Sequence, residues 1–143
     1  MDNILFYGYY GHQNTGDDAF IEVAAWGANK YWNCASPKFL TENMPIIQTK
    51  SKYTGKNNFR GHHVLKDITA ISKANAFVLA GGSNFHSEFK VFNPVTISRL
   101  KKRCCKNFAM GAIGVSLGPY RSIAAEKANI DLLKNLNFLA LRD

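Results

Sequence analysis

Short apolar runs alternate along the chain with longer stretches of helical periodicity, and this alternation constrains the fold most. The run AFVLA at 76–80 has no polar position, which is typical of a strand covered on both faces. Strands separated by helices of this length need right-handed crossovers between parallel neighbours. We therefore predict an α/β domain with an open parallel sheet of Rossmann-like type. The predicted strands are 3–8, 38–42, 76–80, 108–118 and 137–143, and the predicted helices are 15–31, 64–73, 94 to about 107, and one after Ser122.

Apolar periodicity also predicts which side of each helix is buried. For helix 15–31 the predicted buried side is Phe20, Val23, Ala24, Gly27 and Tyr31. For the helix that starts at Pro94 it is Ile97, Leu100, Cys104 and Phe108, which leaves Arg99, Lys102, Arg103 and Lys106 to solvent. The last helix has Ala125, Ala128, Leu132 and Leu136 in register. Asn93 and Ser122 are the predicted N-cap residues of these last two helices.

Composition argues against several classes of protein. With 46% hydrophobic and 20% charged residues the chain is globular, and its apolar runs are far shorter than the 18 or so residues of a membrane-spanning helix. The N-terminus lacks the basic lead of a secretion signal. The 3 cysteines, two of them adjacent, suit a disulfide framework poorly, so we expect a reducing, cytoplasmic location. No Cys or His spacing predicts a metal site, and no cofactor is expected.

The net charge of +8 comes largely from basic clusters at 50–60 and 99–106. Such a balance is compatible with nucleic acid, an anionic membrane surface or an anionic substrate. The aromatic residues follow core periodicity and do not alternate with basic residues on one face, so we predict no nucleic-acid partner. Residues 101–106 would allow peripheral contact with the inner face of a membrane.

Glycine, amide, hydroxyl and charged residues follow the ends of four predicted strands. The segments are GYYGHQNTGDD at 8–18, GGSNFHS at 81–87, LGPYRS at 117–122 and RD at 142–143. Because the carboxyl ends of parallel strands share one edge of the sheet, we predict that these segments form one ligand-binding rim. Glycines also turn the chain for purely structural reasons, so the convergence of four segments is better evidence than any one of them.

The first of these segments resembles a phosphate-binding turn only in its glycines. A dinucleotide-binding turn has the spacing GxGxxG, which the glycines at 8, 11 and 16 do not follow. Asp17 and Asp18 fall in the first helical turn, where they satisfy the helix dipole and would repel a phosphate. With Thr15 as the N-cap residue, Asp18 occupies the capping-box position.

Tyrosine rings, an amide and a carboxylate suit a sugar better than a phosphate, because rings stack on the sugar and the polar groups bond its hydroxyls. Since Asp18 is expected to cap the helix, Asn14 and Asp17 are freer to face the cleft. The predicted sugar-binding residues of this segment are Gly8, Tyr9, Asn14, Thr15 and Gly16.

The other strand ends add backbone and side-chain groups to the predicted rim. A glycine pair allows close approach of a ligand to the backbone, and its neighbours offer hydrogen bonds. The predicted binding residues here are Gly81, Gly82, Ser83, Asn84, Gly118, Pro119 and Arg142. His86 is a possible acid–base group and Arg121 a possible anion partner, although an ordinary loop histidine and a surface arginine are the favoured interpretations.

These motifs, in this order, resemble the polysaccharide pyruvyl transferase family. Members of that family have a first strand and turn like GYYGHQNTGDDA, an apolar strand and glycine pair like AFVLAGGSN, a strand that ends like GVSLGP, and a strand that ends in RD like LALRD. The resemblance spans nearly the whole chain and corresponds to the amino-terminal portion of the family. The first motif is specific, and the ordered set is more specific than its members.

The resemblance implies two Rossmann-like halves around a cleft, as in B-type glycosyltransferases, with residues 1–143 as the N-terminal domain and the C-terminal half absent. It also implies transfer of a pyruvyl group from phosphoenolpyruvate to two hydroxyls of a saccharide or lipid-linked saccharide of the cell envelope or capsule. This half is expected to hold the acceptor, with Asp17 assisting deprotonation of a hydroxyl. The donor site is expected in the other half, so the chain alone is expected to be inactive.

Two alternatives remain open at the level of sequence. One is a glycosyltransferase of the same architecture that uses a sugar nucleotide. The other is a non-enzymatic module whose positive charge binds an anionic partner, for which steep loss of affinity with salt is the expected signature.

Overall fold

The computed structural model describes residues 3–12, 15–56, 62–82 and 85–142, and within them six strands combine with four helices. The strands are β1 (Ile4–Tyr7), β2 (Lys38–Phe39), β3 (Lys52–Tyr53), β4 (Ala76–Ala80), β5 (Ala109–Val115) and β6 (Phe138–Leu141). The helices are α1 (Thr15–Trp32), α2 (His62–Lys73), α3 (Pro94–Cys104) and α4 (Ile123–Lys134).

All six strands are parallel and lie in the order β3-β2-β1-β4-β5-β6. The central strand β4 pairs with β1 on one side and β5 on the other, and all five of its residues are buried. The uninterrupted apolar run at 76–80 is therefore explained by helices on both faces. The predicted open parallel α/β domain of Rossmann-like type is confirmed.

The core has two parts, one on each face of the sheet. On one face, α1 packs through Ile21, Ala24, Ala25 and Ala28 on strand residues that include Phe6 and Val78. On the other face, α2, α3 and α4 contribute Ile71, Val95 and Leu132, which cluster with Phe77, Leu79 and Met110. We call these surfaces the α1 face and the α2–α4 face.

The buried side of α1 differs from the prediction. Val23 and Tyr31 were expected in the core and are 62% and 67% exposed, whereas Ile21, Ala25 and Ala28 are buried. The helix carries two apolar stripes, and the alanine-rich stripe faces the sheet because its short side chains allow close packing of the helix on the strands. Periodicity alone does not distinguish the two stripes.

The rotation of α3 also differs from the prediction. Leu100 and Cys104 are exposed, whereas Val95 and Ser98 are buried; Phe108, beyond the helix, is buried as predicted. Polar contacts connect the helix to its neighbours in this orientation. Arg99 forms an ion pair with Asp131 of α4.

Lys101 also fixes α3, because its Nζ donates to the carbonyl oxygens of Ile71, Ser72 and Ala74 at the end of α2. Burial lowers the pKa of the Lys101 ammonium group. The Nζ atom lies 4.5 Å from the centroid of the Phe108 ring. Lys101 is thus committed to the junction of α2 and α3, while Arg103 and Lys106 are exposed.

The N-cap residues predicted from the sequence for α3 and α4 are confirmed, whereas one short strand was not predicted. Asn93 accepts a hydrogen bond from Val95 N at 2.8 Å, and Ser122 accepts one from Ala125 N at 3.0 Å, so both predicted N-caps are confirmed. The two-residue strand β3 lies between the strand predicted at 38–42 and the helix predicted at 64–73, where the sequence analysis predicts no element. Both its residues are exposed, so no apolar pattern marks it.

Candidate functional site

A cleft of about 570 Å³ opens at the carboxyl edge of the sheet, between β1 and β4. From β1 the chain continues towards β2, and from β4 it continues towards β5, so the two connections leave the edge in opposite directions. Such a change of direction creates a crevice above an open parallel sheet. The predicted convergence of strand ends is therefore seen for β1, β4 and β6, each of which supplies residues to the cleft.

The β1 side of the cleft is formed by Tyr7, Tyr9, Gly16 and Asp17. Tyr9 is 57% exposed, and its ring stacks on His12 with 4.1 Å between centroids. Asp17 lies in the first turn of α1 and lines the cleft, as predicted.

Asp18 points to a different surface. It lines a second depression with Thr15 and the loop 45–48, and its buried Oδ1 has no hydrogen-bond partner among the residues that the structure describes. Helix α1 includes Thr15 as its first residue, so Thr15 is not the N-cap residue that was predicted. The residue before it lies outside the described residues. Neighbouring Glu22 accepts hydrogen bonds from Gln48 N and Thr49 Oγ1, which lower the pKa of its carboxyl group.

The β4 side of the cleft begins at Gly82, whose φ of +71° lies in the left-handed region. A methyl group on Gly82 would lie 3.6 Å from Asp17 Oδ1 and 3.8 Å from Tyr9 Cβ. The backbone at the end of β4 therefore faces the polar groups of the β1 side across a short gap.

The segment 86–89 completes this side with His86, Ser87, Glu88 and Phe89. It is held from behind by the connection between β5 and α4. Gly118 N donates to Phe85 O at 3.0 Å, and Arg121 N donates to His86 O at 2.9 Å. These bonds join residues more than 30 positions apart, so no local sequence pattern predicts that His86 and Glu88 line the cleft.

Asn129 of α4 also supports this segment from the interior. The residue is 0% exposed, and its Nδ2 donates to Ser87 O at 3.1 Å and to Ala125 O at 2.7 Å. A fully buried amide needs hydrogen-bond partners, so Asn129 and the cleft segment are energetically linked.

The floor of the cleft includes Tyr7 and the N-terminal end of α3, with Asn93 and Val95. Burial raises the pKa of the Tyr7 phenol, a hydrogen bond with the Asn93 side chain opposes this, and the charge of Asp67 adds to the rise. Asp67 lies on α2, where burial raises the pKa of its carboxyl group to about 6 and the charge of His63 opposes the rise.

Arg142 follows β6 and lines the cleft with a cationic side chain. Its backbone N donates to Val115 O at 2.9 Å, which extends the pairing of β5 and β6 by one residue. The described lining thus includes the carboxyl groups of Asp17 and Glu88 together with one guanidinium group, a mixed arrangement that suits a polar ligand better than a polyanion.

Of the residues predicted from the sequence, Tyr9, Gly16, Asp17, Gly82 and Arg142 line this one cleft. The others lie elsewhere in the fold. Gly8 lies against Ala80 O and the ring of Tyr10, Gly81 lies against Phe20, and Thr15 lines the second depression. Gly118 and Pro119, joined by a cis peptide bond, lie behind Phe85 and are not among the lining residues; Asn14, Ser83 and Asn84 lie outside the described residues.

Sequence reasoning did not assign Tyr7, Glu88, Phe89, Asn93 and Val95 to the site, although they also line the cleft. Only their position shortly after a strand end or next to a helix start could have indicated them.

Among the residues that the structure describes, no group of three or more His, Cys, Asp and Glu side chains is arranged to hold a metal ion. Over the same residues, no helix combines the length and the apolar character needed to cross a bilayer. Comparison with protein-family models and with curated proteins finds no match.

Proposed function

We propose that this chain is the acceptor-binding half of a polysaccharide pyruvyl transferase. In that reaction two hydroxyls of a saccharide add to the enol carbon of phosphoenolpyruvate. The methylene carbon takes up a proton to become a methyl group, inorganic phosphate leaves, and the saccharide keeps a cyclic ketal that bears a carboxylate. Donor binding is assigned to the other half of the enzyme.

One observation carries the proposal: residues from three of the four family-like motifs share one cleft. Tyr9 and Asp17 come from the first motif, Gly82 from the second and Arg142 from the last. They are up to 133 positions apart in the sequence and meet only because their strands end at the same edge. A common ligand explains why unusual residues occur at each of these strand ends.

The residues have distinct proposed roles. The half-exposed ring of Tyr9 stacks on the apolar face of a sugar. Asp17 accepts a hydrogen bond, and in the reaction a proton, from an acceptor hydroxyl. Arg142 faces the negative charge of the donor or of the growing ketal. Gly82 leaves room for the sugar to approach the backbone.

A sugar nucleotide is the alternative donor for a protein of this architecture. Its diphosphate would fit poorly at the start of α1, because Asp17 and Asp18 occupy the helix N-terminus at which a phosphate is usually bound. The cleft of this half therefore favours an uncharged part of the acceptor.

We assign the activity to the cytoplasmic face of a membrane, where lipid-linked acceptors would be encountered. The exposed residues Arg103 and Lys106 give a modest basic surface for anionic headgroups, with Lys101 withdrawn into the junction of α2 and α3. Co-sedimentation with vesicles that does not depend on anionic lipid would contradict this contact.

The test of function is an assay of the full-length protein with a panel of glycosides, free and lipid-linked, that carry pairs of hydroxyls. The expected result is saccharide-dependent release of phosphate from phosphoenolpyruvate, with a new ketal methyl signal in the proton NMR spectrum of the glycan. Transfer of sugar from a UDP- or CMP-sugar to the same panel, without reaction of phosphoenolpyruvate, would establish the glycosyltransferase instead. Salt-sensitive binding of nucleic acid with no transfer would favour the non-enzymatic module.

A further inference from the structure

A groove runs along α2 on the α2–α4 face of the sheet, beside β2 and β3. It consists of two depressions, of about 240 Å³ and 200 Å³, and Lys38 and Thr69 line both of them. The first lies nearer the start of α2 and the second nearer its end, at the edge of the sheet where the strands begin. Among the described residues, the groove shares no lining residue with the cleft at the carboxyl edge.

The strand side of this groove carries two lysines directly opposite each other. Lys38 of β2 pairs in register with Lys52 of β3 on one side and with Leu5 of β1 on the other. Leu5 belongs to the core of the α2–α4 face. Because residues opposite one another in a sheet project from the same face, both lysines also project from it. Neighbouring strands are about 4.8 Å apart, and like charges at this spacing repel each other.

The helix side of the groove is a polar stripe that includes His62, Lys66, Thr69 and Lys73 of α2. These positions recur every three or four residues, which places them on one side of the helix. Lys73, in the last turn, lies near the strand lysines. Burial lowers the pKa of Lys38, and the charges of Lys73 and Lys52 lower it further. We call Lys38, Lys52 and Lys73 the lysine cluster.

The positive charge of the lysine cluster is not neutralised by neighbouring acids. Within the part of the chain that the structure describes, its three ammonium groups form no ion pair, and neither depression is lined by Asp or Glu. The acidic residue of α2 is Asp67, whose charge acts on Tyr7 and His63. In the sequence, no acidic residue occurs from position 43 to position 66. The cluster therefore lacks an anionic partner.

Lys101 offsets the negative end of the α2 dipole next to the lysine cluster. A helix C-terminus ordinarily disfavours an anion, because its last carbonyl oxygens carry partial negative charge. Here the Nζ of Lys101 donates to three of these oxygens, which belong to Ile71, Ser72 and Ala74. The end of α2 is thereby made compatible with an anion in the second depression.

The donor types in the groove indicate which anion it binds. Lysine presents a compact charge with three donors, whereas the planar fork of arginine suits carboxylates, and the described lining contains no arginine. The ammonium groups come from two strands and a helix, so the oxygens of a tetrahedral phosphate can accept from several of them at once. Asn3 and Thr69 are further polar groups of the lining. We propose that the lysine cluster binds the phosphate group of a ligand.

This site does not rest on the proposed function, because it lies outside the cleft. The phosphate belongs to a soluble phosphate compound or to a lipid headgroup, and the recognition chemistry is the same for both. Without a ligand the three like charges repel each other and cost stability. Phosphate relieves this repulsion, so binding should stabilise the folded protein.

The test is an NMR titration of the full-length protein, labelled with ¹³C-lysine, with inorganic phosphate at constant ionic strength. The Cε signals of the lysine cluster, each assigned by its loss in the corresponding Lys→Gln variant, should shift together and saturate. Lys38→Gln, Lys52→Gln and Lys73→Gln should each raise the dissociation constant about tenfold. Lys134→Gln is the matched control, because Lys134 is the last residue of α4 as Lys73 is the last of α2, and both are exposed.

Denaturant unfolding shows whether a variant binds weakly because it is unfolded. Without phosphate, Lys52→Gln should unfold at a higher denaturant concentration than the unsubstituted protein, because one of the repelling charges is gone. Weaker phosphate binding by a protein that has become more stable cannot be attributed to unfolding. A lower midpoint, with binding lost in proportion, would contradict a phosphate-binding role.

Vesicles distinguish the two sources of phosphate. Co-sedimentation with phosphatidylcholine vesicles that requires added phosphatidic acid, and that Lys73→Gln abolishes, would assign a lipid headgroup. Saturable shifts with inorganic phosphate but no co-sedimentation would assign a soluble phosphate compound. The proposal is overturned if neither probe binds at the lysine cluster, if acetate binds there as tightly as phosphate, or if Lys134→Gln weakens binding as much as Lys73→Gln. No saccharide or phosphoenolpyruvate is present, so failure here is distinct from failure of the proposed function.

Discussion

The backbone of Gly82 and the carboxylate of Asp17 face each other across the candidate cleft, so that a methyl group on Gly82 would lie 3.6 Å from Asp17 Oδ1. Gly82 lies two residues after the end of β4, and Asp17 lies in the first turn of α1, 65 positions earlier in the chain. A ligand bound at this point of the sheet edge can contact both residues.

Gly82→Ala should therefore affect both stability and binding. Its φ of +71° lies in the left-handed region, so the substitution should lower the free energy of unfolding by about 1–2 kcal/mol. Gly55→Ala is the matched control, because Gly55 has φ of +77° and lies after β3, away from the cleft. Denaturant unfolding should give similar losses for both, whereas titration with an acceptor saccharide should show about tenfold weaker binding for Gly82→Ala alone. Equal binding by both variants would place the ligand elsewhere.

Asp17→Asn should lower kcat of the full-length protein by about 10²–10⁴-fold, since the amide cannot take a proton from the acceptor hydroxyl. The control is Glu126→Gln, which removes a carboxylate from the first turn of α4 and so has a similar effect on a helix dipole, about 0.3–1 kcal/mol. The measurement is initial phosphate release from phosphoenolpyruvate with saccharide present. Unchanged turnover in the Asp17 variant would remove this carboxylate from the mechanism.

Asp67 should make stability depend on pH. The pKa of its carboxyl group is about 6 in the folded protein, above its ordinary value of 3.8. Between these pH values the folded state binds more protons than the unfolded state, so the free energy of unfolding should fall as the pH rises through this window. Asp67→Asn removes this dependence and should stabilise the protein at neutral pH. Denaturant midpoints of both proteins across the window provide the measurement, and a constant difference between them would contradict the assignment.

Asn129→Ala should loosen the segment that carries His86 and Glu88. The substitution leaves the Ser87 carbonyl without its donor inside the protein, at a cost of about 1–3 kcal/mol. Asn135→Ala is a matched control, because Asn135 makes the same bond to the carbonyl four residues earlier but is exposed. Faster amide hydrogen exchange at 86–89 is expected for the Asn129 variant only. Equal protection in both would show that the bonds from Gly118 and Arg121 suffice.

The edge at which the site forms could be predicted from sequence because it depends only on strand order and direction. Each strand end followed by glycine and polar residues had to lie on the same edge once the sheet was parallel. That Asp17 rather than Asp18 lines the cleft follows from helix geometry, although the capping role predicted for Asp18 is not seen. Their positions on the helix differ by about 100°, so one carboxylate faces the cleft and the other faces the loop 45–48.

The rest could not be predicted because it depends on packing between distant segments. Glu88 and Ser87 face the cleft because Arg121 and Asn129 hold their segment from behind. Residues of α1 were assigned to the wrong side because hydrophobicity favours Val23 and Tyr31, while the sheet accepts the smaller Ala25 and Ala28.

The connections that follow β1 and β4 leave the sheet edge in opposite directions, and this affects how the sequence of such a protein can diverge. The hollow between them results from connectivity, so its existence does not depend on the side chains that surround it. Substitutions along its walls can alter which molecule is accepted while the scaffold remains intact. Selectivity and folding are thereby encoded in largely separate sets of positions, and a lineage can change one without endangering the other.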